Sequence, residues 1–362
     1  MHHTYVVSTV GTSLLTNGAD EQTRRLLWKT ANLREPEYAE ADRLAVQERA
    51  HAVRARLEAA SDAEAQKLSA ELNGALTRRA AGPEYSHYLL ATDTHQGALT
   101  AELVRDRLRA AGCREVTIVP LERLNTRSQQ DFSRGIDRVL EWCDQTLPAL
   151  REQGGRIVFN LAGSFKSLQA YAQTIGMIYA DETVYIFEGG DLLTIPRLPI
   201  AFDTAPMRRH AGLLARLAQY DVVAAAEAAD LPDAYLDRDG DQVCLSAWGT
   251  LAWNANKREI LGGALAAQPG IAYLPSFQAD FQRLLPAARA ACQEAIARAA
   301  RLYAEGGVAK LRADGSLRYS AMKGHAGIDH FRVDRGDRIT CTATAAGLEL
   351  RHCGRHGIEQ RP

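Results

Sequence analysis

A short run of branched and aromatic residues, Tyr5-Val6-Val7-Ser8-Thr9-Val10, stops abruptly at Gly11-Thr12-Ser13, and the same grammar returns twice downstream. Tyr88-Leu89-Leu90-Ala91 runs into Thr92-Asp93-Thr94-His95-Gln96-Gly97, and Arg156-Ile157-Val158-Phe159-Asn160 runs into Leu161-Ala162-Gly163-Ser164-Phe165-Lys166-Ser167. Runs this short and this apolar read as buried strands. Helical stretches at 98–111, 131–150 and 167–180 alternate with them and with further strands at 116–119 and 184–188. Alternation of this kind confines the first part of the chain to an α/β fold around a mostly parallel, doubly wound sheet. In such sheets ligands settle at the carboxyl ends of the strands, where all three small polar loops fall.

The chemistry of these loops favours an anion. Gly163 lets backbone approach a ligand closely because it has no Cβ. Ser164 and Ser167 lie where a helix start offers free N–H groups, and Lys166 adds a point charge suited to phosphate. Thr9, Gly11, Thr12 and Ser13 offer hydroxyls and amides from the first loop. The spacing is not that of a nucleoside-triphosphate P-loop, and Gly11-Thr12-Ser13 is not a dinucleotide fingerprint.

Residues 20–82 interrupt the α/β rhythm with an Ala-, Leu-, Glu- and Arg-rich stretch, read as a helical hairpin inserted after the first strand. Leu44, Ala52, Leu57, Leu68, Leu72 and Leu76 form its expected apolar stripe. Past the prolines at 196, 199 and 206, helices are expected at 210–219 and 222–229, then a hairpin turning at Asp239-Gly240-Asp241 and a helix over 254–268. This 206–270 segment reads as a winged-helix-like connector with few basic residues. It therefore suits a dimer contact better than a duplex reader.

Net charge is −1 over 362 residues, yet residues 271–362 carry 14 Lys and Arg against 9 Asp and Glu. A basic tail on an acidic body fits a polyanionic partner. The tail reads as a small α+β unit. A strand at 271–274 leads to a helix capped by Ser276, then a second helix from 289 to 305 ending at Gly306-Gly307. Strands follow at 317–322, 328–332, 338–343 and 348–353. His330 and Arg332, two apart, share a face of the sheet. Six cysteines without a CxxC pair are expected as reduced thiols. No apolar run reaches membrane-spanning length and no secretory leader is evident, so a cytoplasmic protein is expected.

Two resemblances sharpen these expectations. Val10–Asn17, Phe159–Ser167 and the Tyr185-Ile186-Phe187-Glu188-Gly189 strand end resemble the CARF family, the CRISPR-associated Rossmann-fold sensors of type III systems, over about residues 3–203. The resemblance implies a homodimer seating one cyclic oligoadenylate on its two-fold axis. Thr9, Gly11, Thr12 and Ser13 would face Asn160, Gly163, Ser164 and Lys166 around phosphate and ribose, with Thr92, Asp93, Gln96 and Gly97 near the bases. An even ring matches a two-fold dimer; cyclic tetra-adenylate is preferred as activator over cyclic hexa-adenylate, and the sequence leaves the ring size open.

Phe331-Arg332-Val333-Asp334-Arg335-Gly336-Asp337-Arg338-Ile339 and Gly354-Arg355-His356 resemble the RelE family of mRNA interferases over about 271–362. That implies metal-independent cleavage of mRNA in the ribosomal A site by 2′-hydroxyl attack, with no cofactor. His330 is the candidate base, and Arg332 and Arg338 neutralise the phosphorane. Arg355 or His356 serves the leaving oxygen, and Lys323, His325 and Arg335 contact RNA. The expected domains are thus a sensor at 1–205, a connector at 206–270 and a ribonuclease at 271–362. A transcriptional regulator and a ring nuclease without RNA-cutting activity remain the competing expectations.

Overall fold

The computed structural model describes residues 3–79, 85–163, 165–186, 191–219, 221–322, 324–355 and 357, and they fall into two compact units, 1–200 and 201–362. The first unit opens with β1 (Thr4–Thr9), the one-turn α1 (Ser13–Thr16), α2 (Glu21–Lys29), α3 (Glu40–Ala59), α4 (Asp62–Leu68) and α5 (Ala70–Arg79). Then come β2 (Tyr85–Ala91), α6 (His95–Ala110), β3 (Glu115–Pro120), α7 (Gln129–Glu152), β4 (Arg156–Asn160), α8 (Lys166–Tyr179), β5 (Glu182–Ile186) and β6 (Leu192–Pro196). The sheet runs β3-β2-β1-β4-β5-β6, parallel except for β6, which pairs antiparallel with β5. The strand order reverses between β1 and β4, whose loops carry Gly11–Ser13 and Gly163–Lys166. The parallel α/β sheet expected from the alternation is therefore present.

The 20–82 insertion is helical, but its buried stripe differs from the expected one. Val46, Ala50, Val53 and Leu57 of α3 pack with Ala101, Val104 and Leu108 of α6, while Leu44 is 48% exposed and Ala52 faces solvent. A spacing of three and four places 46, 50, 53 and 57 on one stripe, and 44 and 52 fall off it. Leu72 and Leu76 of α5 are buried as expected. Strand β6 was not anticipated; Pro196, Pro199 and Pro206 read as the exit from the first domain, and Pro196 is the last residue of the strand.

The second unit holds α9 (Ala205–Arg209), α10 (Ala211–Leu217), β7 (Val223–Ala224), β8 (Leu236–Asp239), β9 (Gln242–Leu245) and α11 (Ala247–Leu261). After these come β10 (Ile271–Tyr273), α12 (Pro275–Arg283), α13 (Pro286–Ala313), β11 (Ser320–Ala321), β12 (Asp329–Arg332), β13 (Asp337–Thr344) and β14 (Gly347–Arg355). The β8–β9 hairpin turns at Asp239–Gln242 as expected, and β7 joins it in an antiparallel sheet ordered β7-β9-β8. The helix expected over 222–229 is instead β7 followed by a 3-10 turn at Ala225–Ala228. The helix expected over 254–268 begins earlier, at Ala247 behind the Ser246 cap, and ends at Leu261.

The larger sheet is ordered β10-β14-β13-β12-β11; β10 lies parallel to β14 and the other pairs are antiparallel. Phe277, Phe281 and Ile296 from the helices bury against Phe331, Ile339, Cys341, Leu348, Leu350 and Cys353 from the strands. Each such side chain contributes roughly 1.5–3 kcal/mol of hydrophobic stabilisation. A second core, around Leu214, Val243 and Trp253, takes in Ala290 and Ala297 of α13, so one long helix serves both cores of this unit.

Two helix boundaries correct the expectations. Ser276 does not cap α12; it lies inside the first turn, and its Oγ donates to Arg351 O at 2.7 Å, tying the helix to β14. Gly306-Gly307 does not end α13. The chain kinks there, with Gly307 at φ +62°, ψ −152°, and resumes helix through Ala313.

Candidate functional sites: an anion-holding crevice and a basic sheet

The first site is built where β1 and β4 part. Thr9, 1% exposed, ends β1, and its Oγ1 donates to Gly163 O at 2.5 Å, clamping the two loops together. Asn160 ends β4, and its Nδ2 donates to Ser8 Oγ at 3.2 Å while its Oδ1 accepts from Ala162 N at 3.3 Å. Thr12 occupies the N-cap position of α1 without a side-chain cap bond. Lys166 is exposed in the first turn of α8, whose N-cap Phe165 supplies no cap bond either. Ser164 lies outside the described residues. The structure thus brings Thr9, Gly11, Ser13, Asn160 and Gly163 into one crevice, and among the described residues no hydrogen bond or ion pair ties Lys166 to it.

The partner of the first loop was invisible in sequence. Glu71, near the start of α5 and 1% exposed, accepts at Oε1 from Gly11 N (2.8 Å) and at Oε2 from Ser13 Oγ (3.1 Å) and Ser69 Oγ (2.5 Å). Asn160 Nδ2 also donates to Glu71 O at 3.1 Å, holding α5 down on the sheet. A Glu inside an Ala- and Leu-rich amphipathic helix carries no signal that separates it from a solvated one.

The 92–97 loop is largely turned to structural partners. Thr94 caps α6 through Gly97 N (3.0 Å), and Thr92 Oγ1 lies 3.0 Å from Thr94 Oγ1. Asp93 pairs with Arg34 and accepts from Arg123 N at 2.8 Å. Gln96, 1% exposed, donates to Leu27 O (2.8 Å) and Thr30 Oγ1 (2.9 Å), which anchors the insertion to α6.

The second site is the sheet of the second unit. Register places His330 beside Thr340 and Thr340 beside His352, and in the next row Arg332 beside Arg338 and Arg338 beside Gly354. Neighbouring strands lie about 5 Å apart, so two imidazoles flank Thr340 in one row with a pair of guanidinium-bearing residues in the next. Arg338 is 8% exposed, and His330 Nε2 lies 3.5 Å from Ser320 Oγ. At the turn, Asp334, Arg335, Gly336, Asp337 and Arg355 line an open groove of about 740 Å³. Asp334 accepts from Gly336 N (2.6 Å) and Asp337 N (2.7 Å) and fixes the turn. Burial raises the Asp337 carboxyl above its usual value, neighbouring Asp334 adds to this, and Arg355 opposes it. His325 sits in the loop before β12, while Lys323 and His356 lie outside the described residues.

His352 was not singled out from sequence, yet an acid holds its ring. Its Nδ1 lies 2.7 Å from Asp280 Oδ2 on α12, which leaves Nε2 for other chemistry. Its partner is far away in the chain, so no local pattern reveals the pair.

Comparison with known proteins bears on the first unit. Residues 66–198 match the model of a family described as CRISPR-associated protein (Cas_APE2256). The matched stretch carries α5 with Glu71, β2 to β6, and the Gly163–Lys166 loop. The likeness supports a CRISPR-linked role for the chain. No curated protein matches it. No helix among the described residues is long and apolar enough to cross a membrane.

Proposed function

We propose that the chain is a type III CRISPR effector that binds a cyclic oligoadenylate, cyclic tetra-adenylate foremost, and then cuts mRNA in the ribosomal A site. The observation that carries the reading is the crevice at the strand-order reversal, where a backbone amide and a hydroxyl already converge on an anionic group. Donors set this way suit a phosphodiester. A homodimer would present the crevice twice around the ring.

For cleavage, the 2′-oxygen attacks the adjacent phosphorus, a new P–O2′ bond forms and the P–O5′ bond breaks. One imidazole takes the 2′-hydroxyl proton and a second acid protonates O5′, leaving a 2′,3′-cyclic phosphate and a free 5′-hydroxyl. His330 and His352 stand in one row for these transfers, with His352 oriented by Asp280. Arg332 and Arg338, one row away, offset the phosphorane charge. Arg355 and His356 are further candidates for the leaving oxygen, and Lys323, His325 and Arg335 extend the cationic track for RNA. No metal ion takes part in this scheme.

The test is toeprinting of translating ribosomes with the full-length protein, with and without cyclic tetra-adenylate, beside Arg338→Ala. Ligand-dependent breaks within A-site codons, lost in the variant, are expected. Intact codons in the liganded wild-type sample would reject the reading.

A further inference from the structure

An acid sits where the site calls for a guest anion. The Glu71 carboxylate is buried, and among the described residues the three donors that reach it are neutral: one amide and two hydroxyls. Two of the three, Gly11 N–H and Ser13 Oγ, are groups the sequence marks for phosphate. Burying a carboxylate against neutral donors is costly, and packing alone is served as well by an uncharged residue.

Beside Gly163 the crevice has no room for a second anion. A Cβ added to Gly163 would lie 2.0 Å from Glu71 Cδ and 2.1 Å from Oε1, so not even a methyl group fits beside the carboxylate. A Cβ on Gly74 would come 2.2 Å from Asn160 Oδ1, so the body of α5 sits directly on the end of β4. A phosphate can therefore take this place only once Glu71 has moved, and the bond from Asn160 to Glu71 O couples that movement to the start of α5.

We propose that Glu71 is an internal substitute for the ligand phosphate: it keeps the crevice filled until a phosphodiester displaces it, so ligand binding and release of the N-terminal turn of α5 are one event. This deepens the sensor reading and rests on it. Two like charges compete for the same donors, and apparent affinity falls with the fraction of molecules whose crevice is vacated. A lone phosphate regains little more than the contacts it takes from Glu71. A ring with several phosphates has further contacts to drive the exchange, so the carboxylate selects rings over mononucleotides.

The experiment is calorimetric titration of full-length wild type, Glu71→Gln, Glu71→Ala and the exposed control Glu48→Gln, with cyclic tetra-adenylate and separately with pyrophosphate. Hydrogen exchange over residues 70–79 is followed with and without the ring. Both Glu71 variants are expected to bind the ring at least about tenfold more tightly, with the control unchanged. In wild type, α5 is expected to lose amide protection on binding. Unchanged or weaker binding by Glu71→Gln, with wild type still binding, overturns the displacement and leaves the sensor reading intact. If no variant binds a ring, the sensor reading fails, and pyrophosphate then judges displacement alone: tighter binding to Glu71→Gln upholds it and equal binding overturns it. Should Glu71→Ala not fold, the isosteric Gln carries the comparison.

Discussion

Adding one methyl group at Gly163 is the most stringent check on the crevice. The new Cβ would lie 2.0, 2.1 and 2.3 Å from Cδ, Oε1 and Cγ of Glu71. Carbon atoms rest about 3.5 Å apart at the closest, so the carboxylate must retreat by about 1.5 Å. Its bonds to Gly11 N and Ser13 Oγ start at 2.8 and 3.1 Å, and a retreat of that size carries them past hydrogen-bonding range. Overpacking in a tight site costs about 1–3 kcal/mol, and a lost charge-assisted bond about 1.5–3 kcal/mol. Because the side chain regains some solvent as it leaves, Gly163→Ala is expected to destabilise the first unit by about 3 kcal/mol. With Glu71→Ala already in place the three obstructing atoms are gone, and the cost should fall below about 1 kcal/mol, a coupling of about 2 kcal/mol. Hydrogen exchange at β1 and β4 in the full chain, followed through a denaturant series, reads both values. An equal cost in the two backgrounds would refute the steric argument.

Other expectations follow from individual side chains. His352→Ala should lower RNA cleavage by about a hundredfold or more, within the usual range for a proton-transfer group. Asp280→Asn should act mainly on kcat and less severely, with circular dichroism showing both variants folded. His87, 1% exposed and with neither ring nitrogen hydrogen-bonded among the described residues, has its pKa pushed down by burial from 6.5 to about 4. Below pH 6.5 the unfolded chain holds the extra proton, so stability is whole above that pH and falls as pH drops toward 4. The loss amounts to roughly 3 kcal/mol, and urea midpoints against pH should fall more steeply in wild type than in His87→Leu, which keeps only the slope of the other groups such as the burial-depressed His95. Gly307→Ala should cost about 1–3 kcal/mol, because φ +62°, ψ −152° is a region L-residues avoid. Its thermal transition measures this.

The parallel sheet was legible because β1, β2 and β4 are apolar runs ended by small polar loops, a signal local enough to survive without tertiary information. The stretch at 222–229 misled because Val222-Val223-Ala224-Ala225-Ala226 has strong helix formers, while pairing with β9 decides its first residues. Gly306-Gly307 read as a stop because glycine usually ends helices, but the apolar Val308 and Leu311 pack back on the core and recover the helix. In the crevice, the donors on Gly11 and Ser13 could be named from sequence, but the acceptor could not. Glu71 meets them only through a fold that brings α5 across the ends of β1 and β4. His352 and Asp280 escaped for the same reason.

The register slip at Thr340–Cys341 leaves Arg351 without an opposite number on β13. Strict alternation would send Cys353 to the same side as His352's present neighbours and turn His352 into the oily interior. The one supernumerary residue works as a frame shift: Leu348 and Leu350 face inward before it, Cys353 faces inward after it, and His352 stays beside Thr340. Delete Arg351 and the strand should alternate plainly with each of these side chains still on its present face; close the slip at full length instead, and the imidazole goes under.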